Sequence, residues 1–334
     1  MRKSGFQIVP ASITASLLFA SLAGCVHEES PMSVGVLIQD AKTLSAHDPA
    51  GLGTDQVVLE RVTLEDHDEG LEIALYQPVN AHSPLPAVVF LPGLFATDDQ
   101  YQSYAQALAS RGFVVAVRDW YSFLRSDHEL ARDASVIADW LMNTGKAAEG
   151  RIGVAGHSTG GKDAILAALE DRRFAAVVAI DPDDYGTPSV ARGPVSHLQV
   201  PLLLIGAEVA WQGPDICAPK ETNYQRFFER APPGTIELTL RDADHVQMLD
   251  DPDRFGYDIC RYGTADSRLV RITARRATVR FFVQHLQGGA AMPAPPAAQG
   301  FLRVAGHPSR KPKSKETLIH RQGAVFKTPS PAPE

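Results

Sequence analysis

The chain has 334 residues, 44% of them hydrophobic and 21% charged, with a formal net charge of −7. From Phe301 onward seven Lys/Arg face two acidic residues, and Arg2 and Lys3 add two more positive charges, which leaves −14 on the segment between. An acidic domain of that kind repels phosphate backbones, so nucleic acid is not expected among its partners.

The first residues read as a sorting signal. Arg2 and Lys3 open it, and Ile8 to Leu22 is a mostly apolar run too short to cross a bilayer comfortably. Leu22-Ala23-Gly24-Cys25 closes it and resembles the lipobox of bacterial lipoproteins. That resemblance implies removal of residues 1–24, lipidation of Cys25 and export to the cell envelope, held to a membrane by the lipid. Val26 brings no acidic retention cue, which points to the outer membrane of a two-membrane cell. Residues 25–54 have weak periodicity and read as a tether with at most one short helix.

The folded unit is expected over residues 55–287, about the size of one α/β domain. Val57 to Leu64 and Leu71 to Tyr76 alternate in polarity around an acidic, Gly-containing turn, the pattern of an antiparallel hairpin. Then short apolar runs at Ala87 to Leu91, Phe113 to Val117, Arg151 to Ala155, Ala175 to Ile180, Leu202 to Ile205 and Thr235 to Leu240 read as strands. Helical patterns fall at Tyr101 to Ser110, His128 to Met142, Lys162 to Leu169, Glu221 to Arg230 and Leu269 to Leu286. Apolar strands alternating with helices imply an α/β fold: a mainly parallel central sheet with helices on both faces. Ligands of such sheets bind at the carboxyl ends of the strands. Beyond Gln287 the sequence turns to Gly, Ala and Pro and then to the basic Arg310-Lys311-Pro312-Lys313, so residues 288–334 read as a disordered tail.

Gly156-His157-Ser158-Thr159-Gly160 places a serine in G-x-S-x-G between a strand pattern and a helix pattern. Small residues two positions either side let the serine sit on a sharp, strained strand-to-helix turn, which makes Ser158 the candidate nucleophile. A hydroxyl needs a base to take its proton. Of the chain's 11 histidines most lie in polar or tail segments; His157 adjoins the serine, with its side chain turned away. His245 lies in a loop just after the last strand, where this topology brings a base over the nucleophile. A carboxylate must then hold the imidazole. Asp181 ends the strand after the nucleophile helix and is the first choice. Asp215 is the alternative acid, because Asp215-Ile216-Cys217-Ala218-Pro219 resembles the D-x-I-A-P acid segment of cutinase-like polyesterases; Glu208 and Asp183 are weaker rivals. Two backbone amides suit an oxyanion hole: Thr159, directly after the nucleophile, and Leu94, after Pro92-Gly93. With Cys25 lipidated, Cys217 and Cys260 remain in an oxidising space. A disulfide is the economical reading and two buried thiols the other; neither cysteine has a second ligand at metal spacing.

Gly156-His157-Ser158-Thr159-Gly160-Gly161-Lys162 resembles the G-H-S-R-G-G-K segment of plant chlorophyllases, and Ile180-Asp181-Pro182-Asp183-Asp184 resembles their I-D-P-V-D segment. Further similarity runs from Phe90-Leu91-Pro92-Gly93 through Cys217-Ala218-Pro219 to Asp244-His245, across about Ala87 to Phe282. The resemblance implies the α/β-hydrolase fold and cleavage of a carboxylic ester, with Ser158, Asp181 and His245 at the family's triad positions. Two residues depart: Thr159 stands where the family has arginine, and Pro92 where it has the histidine of an H-G pair. The Pro92-Gly93 form is shared with cutinase-like enzymes, which keeps lipid or polyester substrates in view. The expectation is an exported serine hydrolase for small-molecule or lipid esters with an apolar portion, working without metal or organic cofactor. Trp120, Tyr121 and Phe123, with Leu94 and Phe95, would flank that apolar portion. An amidase or dienelactone-type activity is one alternative. A catalytically silent envelope binding protein is another.

Overall fold

A computed structural model describes residues 36–44, 52–65, 70–82, 84–119, 125–293 and 295–306. The expected signal sequence, Cys25 and the stretch with Trp120, Tyr121 and Phe123 lie outside the described residues. Ten strands form one sheet: β1 (Val36–Leu44), β2 (Val57–Leu64), β3 (Leu71–Pro78), β4 (Leu85–Leu91), β5 (Val114–Arg118), β6 (Ala147–His157), β7 (Phe174–Ile180), β8 (Leu202–Ala207), β9 (Ile236–Leu240) and β10 (Gly300–Val304). Among the described residues five α-helices accompany them: α1 (Gln102–Ala109), α2 (Asp127–Asn143), α3 (Thr159–Glu170), α4 (Tyr224–Arg230) and α5 (Ser267–Gln287).

Across the sheet the order is β1-β2-β3-β5-β4-β6-β7-β8-β9-β10. The run from β5 to β9 is parallel. The outer pairs are antiparallel. This is the mainly parallel sheet with helices on both faces that the strand and helix alternation predicts, and it agrees with the fold that the family resemblance implies. Period-2 alternation sorts the central side chains onto two faces. Val88, Phe90, Ala155, Val178 and Ile180 join one core with α1 and α5. Ala87, Val89, Val154, Val177 and Ala179 join the other with α2 and α3. Between β4 and β6 the chain reverses its direction of travel across the sheet, and the crevice outside those strand ends is where such folds bind ligands.

Two segments differ from the sequence expectation. The expected tether contains β1, which pairs with β2, and Gly53 N–H donates to Ser110 Oγ at 2.8 Å. The expected disordered tail contains β10, paired antiparallel along β9. Its reason is electrostatic as well as geometric. Glu237 of β9 is fully buried, and Arg303 of β10 neutralises it, with Nε 2.8 Å from Oε1. Without that guanidinium the carboxylate would be a buried charge with no countercharge. The short alternating run Gly300 to Val304 escapes notice in the sequence because a Pro-rich stretch precedes it.

Candidate active site

Ser158 is the first residue past β6 and caps α3 with φ 57° and ψ −129°, a conformation that L-residues avoid. Neighbouring backbone holds it there: Ser158 N–H donates to Ile180 O at 3.0 Å, and Ser158 O accepts from Asp183 N–H at 3.1 Å. The flanking glycines are obligatory. A Cβ on Gly156 would stand 2.0 Å from Gly160 O, and one on Gly160 would stand 2.2 Å from Pro92 O.

Asp181 is the first residue past β7 and has no solvent exposure. Its Oδ1 accepts the Ala207 N–H at 2.9 Å, which leaves Oδ2 for His245 Nδ1–H at 2.7 Å. His245 Nε2 in turn accepts the Ser158 hydroxyl at 2.9 Å. The three side chains form one hydrogen-bonded line, with Ser158 5% and His245 4% exposed. His245 reaches this place from a short 3-10 turn, His245–Met248, whose cap Asp244 accepts Gln247 N–H at 3.0 Å. The second oxygen of Asp244 accepts the amides of Tyr262 and Gly263, tying down the return segment.

Burial by itself opposes a charged His245. The hydrogen bond to Asp181 and the negative charges of Asp181, Asp183 and Asp244 outweigh it and raise the pKa above the ordinary histidine value. Asp183 is buried beside the line, and desolvation lifts its carboxyl to about 6. His157 experiences burial and the repulsion of His245, so it is held neutral well below the usual range.

Among the rival acids, Asp215 is solvent-exposed in the 3-10 turn Asp215–Cys217 and makes no bond to His245. Glu208 accepts the Asp242 N–H at 3.0 Å, away from the imidazole. Leu94 and Thr159 flank Ser158 from the β4 loop and the start of α3, and among the described residues neither amide has a protein acceptor. Gly93 makes that approach possible: a Cβ there would stand 2.9 Å from Ser158 Cβ.

Above Ser158 and His245 opens a cleft of about 330 Å³. Leu94, Phe95, Ile216, Val246, Leu249, Phe255 and Ile259 give it an apolar lining. Cys217 and Cys260 form a disulfide with Cα atoms 5.5 Å apart. It joins two 3-10 turns of identical sequence, Asp-Ile-Cys, and the isoleucine before each cysteine lines the cleft. Tyr257 Oη donates to Phe95 O at 3.2 Å and ties this wall to the β4 loop. Among the described residues no group of three or more His, Cys, Asp or Glu is placed to hold a metal ion.

Sequence reasoning left two buried residues without a role. Neither ring nitrogen of His157 bonds Ser158: its ring packs tilted against His245 with centroids 4.6 Å apart, and Tyr101 hydrogen-bonds it from behind. Only the G-H-S tripeptide hinted at His157. Nothing in the sequence marks Tyr101.

A serine strained at the end of a central parallel strand, facing a loop histidine backed by a strand-end aspartate, defines the α/β-hydrolase class. Within that class the model of the Chlorophyllase family matches residues 55–292, and the chain belongs to this family. Among relatives, chlorophyllase type 0 of Chenopodium album is 25% identical over 195 residues, 50% of this chain and 56% of the relative. A cutinase of Thermobifida fusca (strain YX) is 25% identical over 247 residues, 72% of this chain and 76% of the relative. The bis(hydroxyethyl) terephthalate hydrolase of Streptomyces coelicolor is 28% identical over 180 residues, 51% and 54% of the two chains. The chain thus spans little more than half the length of the Chenopodium and Streptomyces relatives.

Proposed function

We propose that the protein is a carboxylic ester hydrolase that works through an acyl-enzyme on Ser158. The Ser158 hydroxyl attacks the ester carbonyl carbon while His245 Nε2 takes its proton, and Asp181 stabilises the resulting imidazolium. The Leu94 and Thr159 amides hold the negative oxygen of the tetrahedral intermediate. Its collapse breaks the bond to the alcohol oxygen, which leaves with the proton from His245. Water, deprotonated by His245, then attacks the acyl carbonyl and releases the acid and free Ser158. The observation that carries this reading is the buried line from Ser158 through His245 to Asp181, at 2.9 and 2.7 Å, at the base of an apolar cleft.

The cleft's lining suits an ester with an apolar acyl or alcohol portion. The names of the relatives extend the choice to chlorophyll, cutin and bis(hydroxyethyl) terephthalate. The cutinase-like Pro92-Gly93 pair favours lipid or polyester material. The Leu-Ala-Gly-Cys25 segment supports export and lipid anchoring in the cell envelope, with the membrane reached through the lipid. Labelling by a fluorophosphonate probe, mapped by mass spectrometry, tests the nucleophile. A series of p-nitrophenyl esters of increasing chain length tests the substrate class. Absence of label at Ser158 together with no ester turnover would refute the reading and leave a binding protein. Turnover of anilides in preference to esters would redirect it to amide hydrolysis.

A further inference from the structure

His157 cannot serve Ser158 as a base, but it sits in an unbroken chain of buried hydrogen bonds that crosses the site. Gly93 N–H lies 3.0 Å from Tyr101 Oη. Tyr101 Oη lies 3.2 Å from His157 Nδ1, and His157 Nε2 lies 3.1 Å from the backbone carbonyl of His245. One end of the chain is the loop that presents the Leu94 amide. The other is the residue proposed as the base.

The proton positions follow from donor and acceptor chemistry. A carbonyl oxygen only accepts, so Nε2 of His157 carries the hydrogen and donates it to His245 O. Nδ1 is then an acceptor and takes the Tyr101 hydroxyl hydrogen. Tyr101 oxygen, having donated, accepts from Gly93 N–H. Every link points the same way, an arrangement in which hydrogen bonds polarise and strengthen one another. Burial keeps the chain in this state: Tyr101 is raised well above the ordinary tyrosine value, and His157 is lowered well below the ordinary histidine value. Packing supports it as well. A Cβ on Gly93 would stand 3.1 Å from His157 Nδ1, so this loop rests directly on the imidazole.

We propose that His157 and Tyr101 are positioning residues that couple the oxyanion loop to the His245 loop, so that the two halves of the site are set together. This rests on the ester-hydrolase reading. A shift of about 1 Å in either half is enough to lower turnover by as much as two orders of magnitude. Tyr101 is the more telling of the two, because it does not line the cleft.

The test uses the full chain, p-nitrophenyl butyrate as substrate and active sites counted by fluorophosphonate labelling. Tyr101→Phe keeps the ring and removes the hydroxyl, and kcat per labelled site should fall on the order of tenfold with KM changed much less. The double variant Tyr101→Phe/His157→Phe should be no slower than His157→Phe alone, as residues acting in one chain are not additive. His157→Gln can accept at one end and donate at the other, and should be faster than His157→Phe. A merely structural role would lower the melting temperature and the number of labelled sites, leaving kcat per site intact. If His157→Phe does not fold, Tyr101→Phe decides. With an active, labelled wild type, a Tyr101→Phe kcat within about twofold of wild type, or fully additive losses, would overturn the coupling alone. A wild type that neither labels at Ser158 nor turns over the ester overturns the hydrolase reading, and the coupling with it.

Discussion

Ser158 and Asp181 leave the ends of neighbouring strands, β6 and β7, whereas His245 stands in a loop beyond β9, two strands further across the sheet. The strand-end pair is fixed by main-chain bonds. Ser158 N–H reaches Ile180 O, and Asp181 N–H reaches Ile205 O at 2.5 Å, so each residue extends the ladder it has just left. The loop residue has no ladder to extend. It is held by the Asp244 cap, by the amides of Tyr262 and Gly263 on the same carboxylate, by His157 on its carbonyl and, further along, by the disulfide. A sheet can position two side chains of a site through backbone geometry. A third, arriving from a loop, needs side chains recruited from several distant segments.

The largest expected effect tests whether the two regions act as one device. Ser158→Ala and His245→Ala should each lower kcat by roughly five to six orders of magnitude, and the double variant should be little worse than either, since such residues act as a unit. Stopped assays beside circular dichroism of the folded variants decide it; substantial turnover by folded Ser158→Ala would refute the mechanism. On the strand side, Asp181→Asn should lower kcat by about 10⁴, because it leaves His245 in the wrong tautomer, while Asp215→Asn stays within about twofold. A reversal of those two effects would move the acid to the loop.

On the loop side, Cys217→Ser/Cys260→Ser opens a loop closed across 43 residues. On the chain-entropy model this removes up to about 4 kcal/mol of stability, so the melting temperature should fall clearly while turnover falls far less than with the triad variants. Equal melting temperatures for wild type and variant would show that the loop does not need its clasp. The smallest effect is a pH shift. The base must be neutral to accept a proton, and His245 is raised, so kcat/KM should climb with pH through a midpoint above the ordinary value of about 6.5. The Asp183 charge contributes to that rise, so Asp183→Asn should move the midpoint down. A pH–rate profile unmoved by the substitution would remove Asp183 from the electrostatics of the base.

Much of the framework was legible from local pattern. Apolar runs such as Ala87 to Leu91 and Leu202 to Ile205 read as strands buried on both faces, and Lys162 to Leu169 reads as the helix that follows the Gly156 to Gly160 turn. The same locality explains what was missed. β10 is a five-residue run whose reason for pairing is a buried Glu237 more than 60 residues away, and no window on the sequence joins them.

The sequence by itself determined that a serine would stand on a strained turn at the end of a central strand. The spacing of small residues around Ser158 and the strand–helix alternation are local properties, readable wherever they occur. It could also nominate His245 and rank four acids, Asp181 and Asp215 ahead of Glu208 and Asp183. Only the tertiary structure decided which carboxylate faces the imidazole, because Asp181 and Asp215 both follow strands of the same sheet. They differ in burial: Asp181 is closed in with one oxygen taken by Ala207 N–H, whereas Asp215 is left in water. Tertiary structure alone also joined Gly93, Tyr101, His157 and His245, since a chain of hydrogen bonds among residues up to 88 positions apart exists only once the sheet has brought its strand ends together.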